Sequence, residues 1–338
     1  MDVSFRESCA YRLQSLSVRF IEGRNYNRLE HSDAKAAIET MPEMQLRELS
    51  YDRSKLWEEN IFQPLLERCP RLEKLDLNWT HDEVTIQHLI KTLKENKLPA
   101  LRHLRMARRN QDIFDYIFNE VLSHIPSGLG SFGYENDNGN LDSQPLIRHH
   151  SHSLTSLDFH KSRIPFGTFL DFMVGLPRLQ TVMATIIGRS NDKNDFPLNR
   201  HWECLSLRSL QLDLAAWLYY ATSLNEAMES IGKRALDYVF SEVAKLTSLR
   251  ELRIRCDPME PYSKSRGYLD QLAGLKKLED LEVAHTKHNA LGENEAQWMV
   301  DNWPRLLRVY EQYTPAAFKE TLLKGRPLVE FVKAPSVY

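Results

Sequence analysis

The sequence is poor in cysteine and carries no marked excess of charge of either sign. Its 338 residues include four cysteines, which lie far apart and form no CxxC pair. That spacing argues against a disulfide-stabilised scaffold and against a cysteine-rich zinc module. The 44 lysines and arginines are balanced by 46 acidic residues, which leaves a net charge of −2. Because nucleic acids and anionic membranes attract basic proteins, we expect neither of them as a partner.

Long apolar segments are also missing. The longest apolar run, near residues 215–220, is much shorter than the roughly 20 residues that a transmembrane helix needs. The first residues carry charges where a signal peptide has its apolar core. With 42% apolar residues, the chain has the composition of a folded protein and not that of a disordered segment. We expect a cytoplasmic location, with the nucleus as the alternative.

Signatures of catalysis are absent as well. The sequence has no GxSxG elbow, no phosphate-binding P-loop, no HExxH zinc motif and no GxGxxG fingerprint that follows a strand. The histidine cluster at 148–153 lacks a neighbouring acidic or thiol ligand, and residues 134–145 do not fit a calcium loop. We predict that the protein is not an enzyme and that it binds no metal and no cofactor.

A short apolar pattern recurs along the whole chain: an apolar residue, two variable residues, a second apolar residue, one variable residue and a third apolar residue. The clear copies begin at Leu72, Leu101, Leu154, Leu179, Leu207, Leu249 and Leu278, and the weaker ones at Leu13, Leu46, Leu129 and Leu306. Eight of the ten intervals between successive copies are 25 to 29 residues long. This period is typical of leucine-rich repeats.

The intervals between the copies have the pattern of amphipathic helices. Residues 54–70, 82–99 and 111–126 place apolar side chains at helical spacing, and each of these segments ends at a proline just before the next strand. One strand and one helix cannot bury their apolar faces alone, so neighbouring repeats must stack and pair their strands in parallel. The sequence therefore predicts an α/β fold, a right-handed leucine-rich-repeat solenoid, or horseshoe, of about eleven irregular strand–helix repeats.

The repeat spacing also predicts how the chain is organised. Residues 1–338 are expected to form a single leucine-rich-repeat domain, because copies of the pattern begin near Leu13 and continue past residue 306. The longest interval, 42 residues, predicts a helical insertion at 215–246. Residues 313–338 are expected to form a C-terminal cap. A segment rich in Gly, Asn and Asp, residues 130–144, predicts a long surface loop.

The C-terminal third resembles a known family. Residues 267–283 (GYLDQLAGLKKLEDLEV) and 292–310 (GENEAQWMVDNWPRLLRVY) are similar to fungal F-box/leucine-rich-repeat proteins, most specifically from Glu295 to Leu306. The resemblance implies a repeat region that selects a protein substrate for an SCF-type ubiquitin ligase, while an amino-terminal F-box binds the Skp-type adaptor. The first repeat begins near Leu13, so we find no F-box in this chain. A Skp-type adaptor is expected as a partner only if an F-box precedes Met1.

The concave face of a horseshoe is its usual binding surface, and the residues between the repeat leucines point towards it. We predict that a monomeric chain binds a protein partner there, either as a ligase subunit or as a free-standing scaffold or inhibitor unconnected to ubiquitin. The candidate residues are Lys74, Asp76, Trp79, His103, Arg105, Asp158, His160, Gln211, Asp213, Arg253, Arg255, Glu282 and Tyr310. Basic patches near Arg102–Arg109 and Arg253–Arg255 favour an acidic or phosphorylated peptide. The alternative is an ordinary solvated strand surface.

Overall fold

A computed structural model gives the fold of most of the chain. The structure describes residues 14–19, 36, 38–52, 62–78, 83–108, 120–125, 128–136, 141–187, 200–214, 226–256, 268–283, 291–311 and 314–334. The chain divides into two compact units, Met1–Leu154 and Thr155–Tyr338, which are called unit 1 and unit 2. That the two units form the single domain expected from the sequence stays a prediction.

Unit 1 is a parallel sheet whose strands follow one another in chain order. Its strands are β1 Ser15–Arg19, β2 Glu48–Asp52, β3 Lys74–Asn78, β4 His103–Arg108 and β5 Ser131–Asn136, and its helices are α1 Phe62–Glu67, α2 Glu83–Lys94 and α3 Gln144–His150. Each strand pairs in parallel with the next, from β1 through β5. The connections between neighbouring strands therefore return the chain to the same end of the sheet every time.

Unit 2 continues the same alternation with seven strands. They are β6 Ser156–Pro165, β7 Thr181–Ile187, β8 Ser209–Asp213, β9 Glu251–Arg255, β10 Asp280–Val283, β11 Arg308–Glu311 and β12 Glu330–Lys333. The helices are α4 Phe166–Gly175, α5 Glu226–Val243, α6 Tyr268–Gln271, α7 Glu293–Asn302 and α8 Ala316–Gly325. All neighbouring strands of unit 2 pair in parallel.

The leucine pattern explains why these segments are strands. In β7 the side chains of Val182, Ala184 and Ile186 are buried, while those of Thr181 and Met183 are half-buried on the opposite face. The same alternation of burial recurs in β8 and β9. The buried face packs with the helices and forms the core of each unit. The predicted leucine-rich-repeat solenoid is confirmed, and each of its eleven copies is a strand.

Some details differ from the sequence predictions. The loop expected at 130–144 begins with a strand, because β5 occupies Ser131–Asn136 and pairs with β4. Residues 313–338 contain α8 and a twelfth strand, β12, which pairs with β11 as the other strands pair with theirs. The insertion expected at 215–246 contains α5, and its residues 215–225 lie outside the described part of the chain.

Within each unit, main-chain hydrogen bonds join neighbouring repeats at the amino-terminal end of the strands. The carbonyl of Arg47 accepts two hydrogen bonds from the next repeat, from the N–H groups of Glu73 at 2.8 Å and Lys74 at 2.9 Å. The carbonyls that accept in this way are those of Gln14, Arg47, Glu73 and Arg102 in unit 1 and Thr155, Gln180, Arg208, Arg250 and Glu279 in unit 2. This main-chain joint connects the repeats although the sequence lacks the asparagine ladder of more regular families.

No helix in the described ranges is both long enough and apolar enough to cross a membrane.

Candidate functional site

Unit 2 presents one polar strand face, which is formed by the outward side chains of β6–β11. Its members are Ser156, Asp158, His160, Thr181, Met183, Thr185, Ser209, Gln211, Asp213, Glu251, Arg253, Arg255, Asp280, Glu282, Arg308 and Tyr310. In-register parallel pairing places these residues in rows that run across the strands, so that Gln211 lies between Met183 and Arg253. The face is called the unit 2 strand face.

Five strands of this face surround a small hollow, called the Arg253 hollow. It is lined by His160, Ala184, Thr185, Gln211, Leu212, Asp213, Arg253, Arg255 and Glu282. Its cavity volume of about 50 Å³ is far below the roughly 300–1,000 Å³ of sites for cofactors and drug-sized ligands. The hollow therefore has room for one side chain and not for a whole small-molecule ligand.

The two arginines of the hollow are held by neighbouring side chains. An Nη2 atom of Arg253 lies 2.6 Å from Glu251 Oε1, and the guanidinium carbon lies 4.0 Å from the centre of the Tyr310 ring. Arg255 Nη1 lies 3.4 Å from Asp213 Oδ2. Two of the charges in the predicted basic patch are thus partly neutralised by carboxylates. Both arginines line the hollow.

An irregularity in β6 forms one wall of the hollow. The register of β6 against β7 shifts between Phe159 and Arg163, so Arg163 lies opposite Thr185. Within this bulge the Thr185 hydroxyl donates a hydrogen bond of 2.7 Å to the carbonyl of His160, and His160 Nδ1–H donates to the carboxylate of Asp158. Bulges commonly redirect side chains near functional sites. Here the bulge gives the exposed Arg163 a register position opposite Thr185.

The amino-terminal end of the unit 2 strand face has a different character. Arg308 donates two hydrogen bonds of 2.6 Å each to the carboxylate of Asp280, and this pairing raises the pKa of Arg308. The hydroxyl of Ser209 donates a hydrogen bond of 2.7 Å to Glu251. These groups satisfy one another, so this end offers fewer unused hydrogen-bonding groups to a partner.

The candidate residues of unit 1 form a separate polar row. Lys74 Nζ lies 3.8 Å from Glu48, and Arg105 lies 3.7 Å from Glu135. The stem of Arg105 crosses Gly133, where an added Cβ would lie 3.1 Å from Arg105 Cγ. A side chain at residue 133 would therefore push Arg105 away from Glu135.

The remaining unit 1 candidates are less informative. His103 is exposed and Asp76 is half-buried on the same strand face as Arg105. Trp79 lies outside the described residues.

One sequence motif has a structural explanation unrelated to catalysis. Residues 128–133 read GLGSFG, which matches the letters of GxGxxG. The run leads into β5 instead of opening a helix, and Gly128 adopts a φ of +73°, where a Cβ would lie 2.7 Å from Ser153 Oγ. Its glycines permit a turn and the close approach of Arg105, so the run is not a nucleotide-binding fingerprint.

Sequence reasoning located most of the hollow but not all of it. The hollow brings together His160, Gln211, Asp213, Arg253, Arg255 and Glu282, all of which are candidates from the sequence. Asp158 and Tyr310 contact its walls through His160 and Arg253. Strand alternation also places Thr185 on this face, but the candidate residues included neither Thr185, which lines the hollow, nor Arg163, which lies opposite Thr185. The three residues His160–Ser162 interrupt the alternation of β6, and this was the only sequence signal for Arg163.

His150 lies in the histidine cluster at 148–153, and both of its ring nitrogens form hydrogen bonds with main-chain groups. Its ring is 1% exposed, its Nδ1 accepts a hydrogen bond of 3.0 Å from the N–H of Leu129, and its Nε2–H donates one of 3.0 Å to the carbonyl of Leu122. Burial lowers the pKa of His150 to about 4. No group of three or more potential metal-ligating side chains occurs within the ranges that the structure describes.

A second buried titratable group lies behind the sheet, on α5. The carboxylate of Glu242 is 2% exposed and lies 2.5 Å from Lys245 Nζ and 3.0 Å from His201 Nδ1. It also accepts a hydrogen bond of 3.0 Å from the N–H of Trp202. Burial alone would raise the pKa of Glu242, but these three partners together lower it below its ordinary value.

Comparison with known proteins concerns the fold alone. No family model matches the sequence, and no curated protein matches it. The chain is similar to the leucine-rich-repeat-containing protein LegL7 of Legionella pneumophila, with 14% identity and a TM-score of 0.45 over 95% of this chain and 92% of that one. It is also similar to the structure of the Rad7 and Elc1 complex in yeast, with 13% identity and a TM-score of 0.41 over 92% and 88% of the two chains.

Proposed function

We propose that this chain is a protein-interaction scaffold whose unit 2 strand face binds a protein partner as a monomer. One observation carries the proposal: five successive strands direct charged and polar side chains into the Arg253 hollow. A hollow that admits a single side chain suits a protein surface better than a free small molecule. Because repeat proteins use extended strand surfaces for recognition, the surrounding rows would supply the rest of the contact area.

The finer proposal is that the partner is a substrate of an SCF-type ubiquitin ligase. It is supported by the resemblance of residues 267–283 and 292–310 to fungal F-box/leucine-rich-repeat proteins. In this proposal the protein acts in the cytoplasm or the nucleus, and a Skp-type adaptor is bound only through an F-box. The alternative is a free-standing scaffold or inhibitor with no connection to ubiquitin.

Partner binding is tested by placing bulky charge on the strand face. The variant Met183→Arg/Gln211→Arg changes two neighbouring outward positions of β7 and β8. Wild type and variant are used to capture proteins from an extract of the source organism, and the captured proteins are quantified by mass spectrometry. We expect at least one protein to fall about 10-fold with the variant, which corresponds to a loss of roughly 1.4 kcal/mol in binding free energy.

The matched control places the same charges on a helix. Asn294→Arg/Gln297→Arg alters two exposed positions of α7 and should leave the capture of that protein unchanged. Capture that survives the strand-face variant, or that falls equally with both variants, would contradict the proposed surface. Thermal unfolding followed by circular dichroism verifies that both variants remain folded.

The ubiquitin connection needs a separate measurement. Purified Skp-type adaptor is mixed with this chain and passed over a size-exclusion column. In a second experiment, the cellular abundance of any captured partner is compared before and after proteasome inhibition. We expect no co-elution of the adaptor with this chain, and accumulation of the partner if the ligase proposal is right. A partner whose abundance is insensitive to proteasome inhibition supports the free-standing scaffold instead.

A further inference from the structure

We propose that unit 2 has a second interaction surface, on the turns that lead into its strands, and that this surface binds an acidic protein segment with apolar side chains. The surface consists of the four residues before each of the strands β7–β12 and is called the turn edge. Its segments are 177–180, 205–208, 247–250, 276–279, 304–307 and 326–329. The inference goes beyond the proposed function, because it does not involve the unit 2 strand face.

The turn edge carries charge of mostly one sign, although the whole chain has a net charge of −2. Its only acidic residue is Glu279. Its basic residues are Arg178, Arg208, Arg250, Lys276, Lys277, Arg305 and Arg326. When the three residues before each segment and the first residue of each strand are included, ten basic residues stand against six acidic ones. The excess of positive charge along this edge favours an anionic partner.

Several of these basic side chains are available to a partner. Arg208, Lys277 and Arg305 are exposed and form no ion pair with any residue that the structure describes. Arg250 is exposed as well, and its guanidinium lies 3.6 Å from a carboxylate oxygen of Glu279. Arginine binds carboxylates through paired hydrogen bonds, so the edge suits a partner that presents several carboxylates.

Apolar side chains are exposed on the same edge. Four large apolar residues are exposed in the described part of the chain, and three of them lie on the turn edge: Leu205 (54% exposed), Leu307 (47%) and Leu328 (81%). The fourth, Leu323, lies on α8, five residues before Leu328. Exposed leucines gain free energy when a partner covers them, and clusters of this kind mark interaction surfaces.

A protein segment suits this combination better than a nucleic acid or a membrane does. Nucleic acids bind basic proteins mainly through phosphates, which would leave the leucines uncovered. The exposed carboxylates of Glu203 and Glu330 lie two residues from Leu205 and Leu328, and an anionic membrane surface would repel them. An acidic segment with apolar side chains can match the arginines and the leucines together.

The main-chain joints determine the length of segment that fits. Along one row, each carbonyl accepts a hydrogen bond of 2.8 Å from the N–H of the next member. The members of this row are Gln180, Arg208, Arg250, Glu279 and Leu307. Since neighbouring strands lie about 4.8 Å apart, the row spans roughly 19 Å. An extended chain rises about 3.3 Å per residue, so about six residues of a partner would cover it.

The chemistry of the partner is tested with four fluorescent pools of random octapeptides. The pools contain Glu, Leu and Ser; Gln, Leu and Ser; Lys, Leu and Ser; or Glu and Ser alone. Binding to the full chain is followed by fluorescence anisotropy. We expect the Glu/Leu/Ser pool to bind about 10-fold more tightly than each of the others, and its affinity to fall as NaCl is raised. Equal binding of all four pools, or tighter binding of another pool, would overturn the inference.

Two variants separate the contribution of charge from that of the leucines. Arg208→Glu/Arg305→Glu should reduce the preference for the Glu/Leu/Ser pool over the Gln/Leu/Ser pool about 10-fold. Leu205→Ser/Leu307→Ser should remove the preference over the Glu/Ser pool while the preference for Glu over Gln remains. Unchanged preferences in both variants would show that the peptides bind elsewhere and would overturn the inference.

The matched control is Arg148→Glu/Arg234→Glu, which reverses two exposed arginines on α3 and α5 and makes the same change in net charge. It should bind the pools as wild type does, and so should Met183→Arg/Gln211→Arg. A loss in the control equal to that in Arg208→Glu/Arg305→Glu would show an effect of net charge alone. A loss in Met183→Arg/Gln211→Arg would assign the peptides to the strand face. Either result would overturn the inference.

Two further probes test the other anionic partners. A single-stranded uridine oligonucleotide and vesicles of phosphatidylcholine and phosphatidylserine are measured with wild type and with Arg208→Glu/Arg305→Glu. We expect both probes to bind more weakly than the Glu/Leu/Ser pool. If either probe binds more tightly than this pool and loses affinity in the variant, the turn edge serves a nucleic acid or a membrane and the inference is wrong.

Discussion

Individual side chains in this protein often differ from their apparent role in the sequence, and His150 is an example. It belongs to a cluster of three histidines, yet both of its ring nitrogens bond to main-chain groups in the core of unit 1. A charged imidazole would lose the hydrogen bond that Nδ1 accepts from Leu129 and would be buried. The residue therefore acts as a neutral structural link, and we expect its burial to make unit 1 less stable in acid.

This sensitivity predicts a specific pH dependence. The pKa of His150 is lowered to about 4 in the folded chain, compared with roughly 6.5 when unfolded. The unfolded chain therefore binds the proton first, and stability is lost as the pH falls from 6.5 towards 4, by up to about 1.4 kcal/mol per pH unit. Urea unfolding at pH 7, 6 and 5 measures this loss.

Two variants isolate the contribution of His150. His150→Gln should be less stable at pH 7 but should lose less stability on acidification than wild type does. The exposed neighbour His149→Gln serves as the control and should follow wild type throughout. A His150→Gln chain that loses as much stability between pH 7 and pH 5 as wild type would contradict this account.

The same scale shows what a sequence can and cannot indicate about a site. Strand alternation placed Gln211, Arg253 and Arg255 on one face, because side-chain direction in a strand depends only on parity. It could not show that Arg253 extends across β10 to Tyr310, since that contact depends on rotamers and on the register of three strands. The basic patch was therefore recognised, but its carboxylate partners were not.

At the scale of secondary-structure elements, close packing between helices limits which residues are tolerated. Gly325 at the end of α8 lies against Val300 of α7, and a Cβ added at residue 325 would lie 2.6 Å from the Val300 methyl groups. We expect Gly325→Ala to destabilise the fold by roughly 1–3 kcal/mol through overpacking. Urea unfolding of the single variant gives this value.

A double-mutant cycle tests the proposed contact. Val300→Ala removes the methyl groups that would clash, so Gly325→Ala should cost much less in that background. Additive effects of the two substitutions would show that residue 325 is constrained by something other than Val300.

Glu242 makes one of the contacts that join α5 to the segment before β8. Its carboxylate accepts a hydrogen bond from the buried N–H of Trp202. Glu242→Ala leaves this N–H without its acceptor, and we expect a loss of roughly 1–3 kcal/mol in the free energy of unfolding. Glu242→Gln keeps an acceptor oxygen and should lose less. Equal stability of the alanine variant and wild type in urea would contradict this role.

Helix and strand positions were largely predictable, because periodicity alone separates the two. The segments 54–70 and 82–99 contain α1 and α2, and prolines 70, 99, 177 and 304 lie in the turns that precede strands. β12 was missed, since its segment lacks the full leucine pattern. The prediction of a loop at 130–144 was wrong at its start. It relied on the glycine-rich composition, whereas Phe132 and Tyr134 pair with β4 in the structure.

At the scale of the whole molecule, stability should be local, because each repeat contacts mainly its neighbours. Leu281 of β10 is fully buried, and Leu281→Ala should cost roughly 2–5 kcal/mol. We expect hydrogen exchange to increase most in β9, β10 and β11 and least in β6, at the far end of the same unit. Exchange measured by mass spectrometry tests this gradient. A uniform increase from β6 to β12 would indicate one cooperative unit instead.

The joint made by main-chain carbonyls has an evolutionary consequence. Since the carbonyl of Arg47 would accept the same two hydrogen bonds from any residue type, this joint itself does not depend on the side chains at the junctions. Only proline is excluded, at the positions whose N–H groups donate. A whole repeat could therefore be duplicated or deleted without compensating substitutions for this joint. The number of repeats could change in evolution while the architecture of each repeat stays the same.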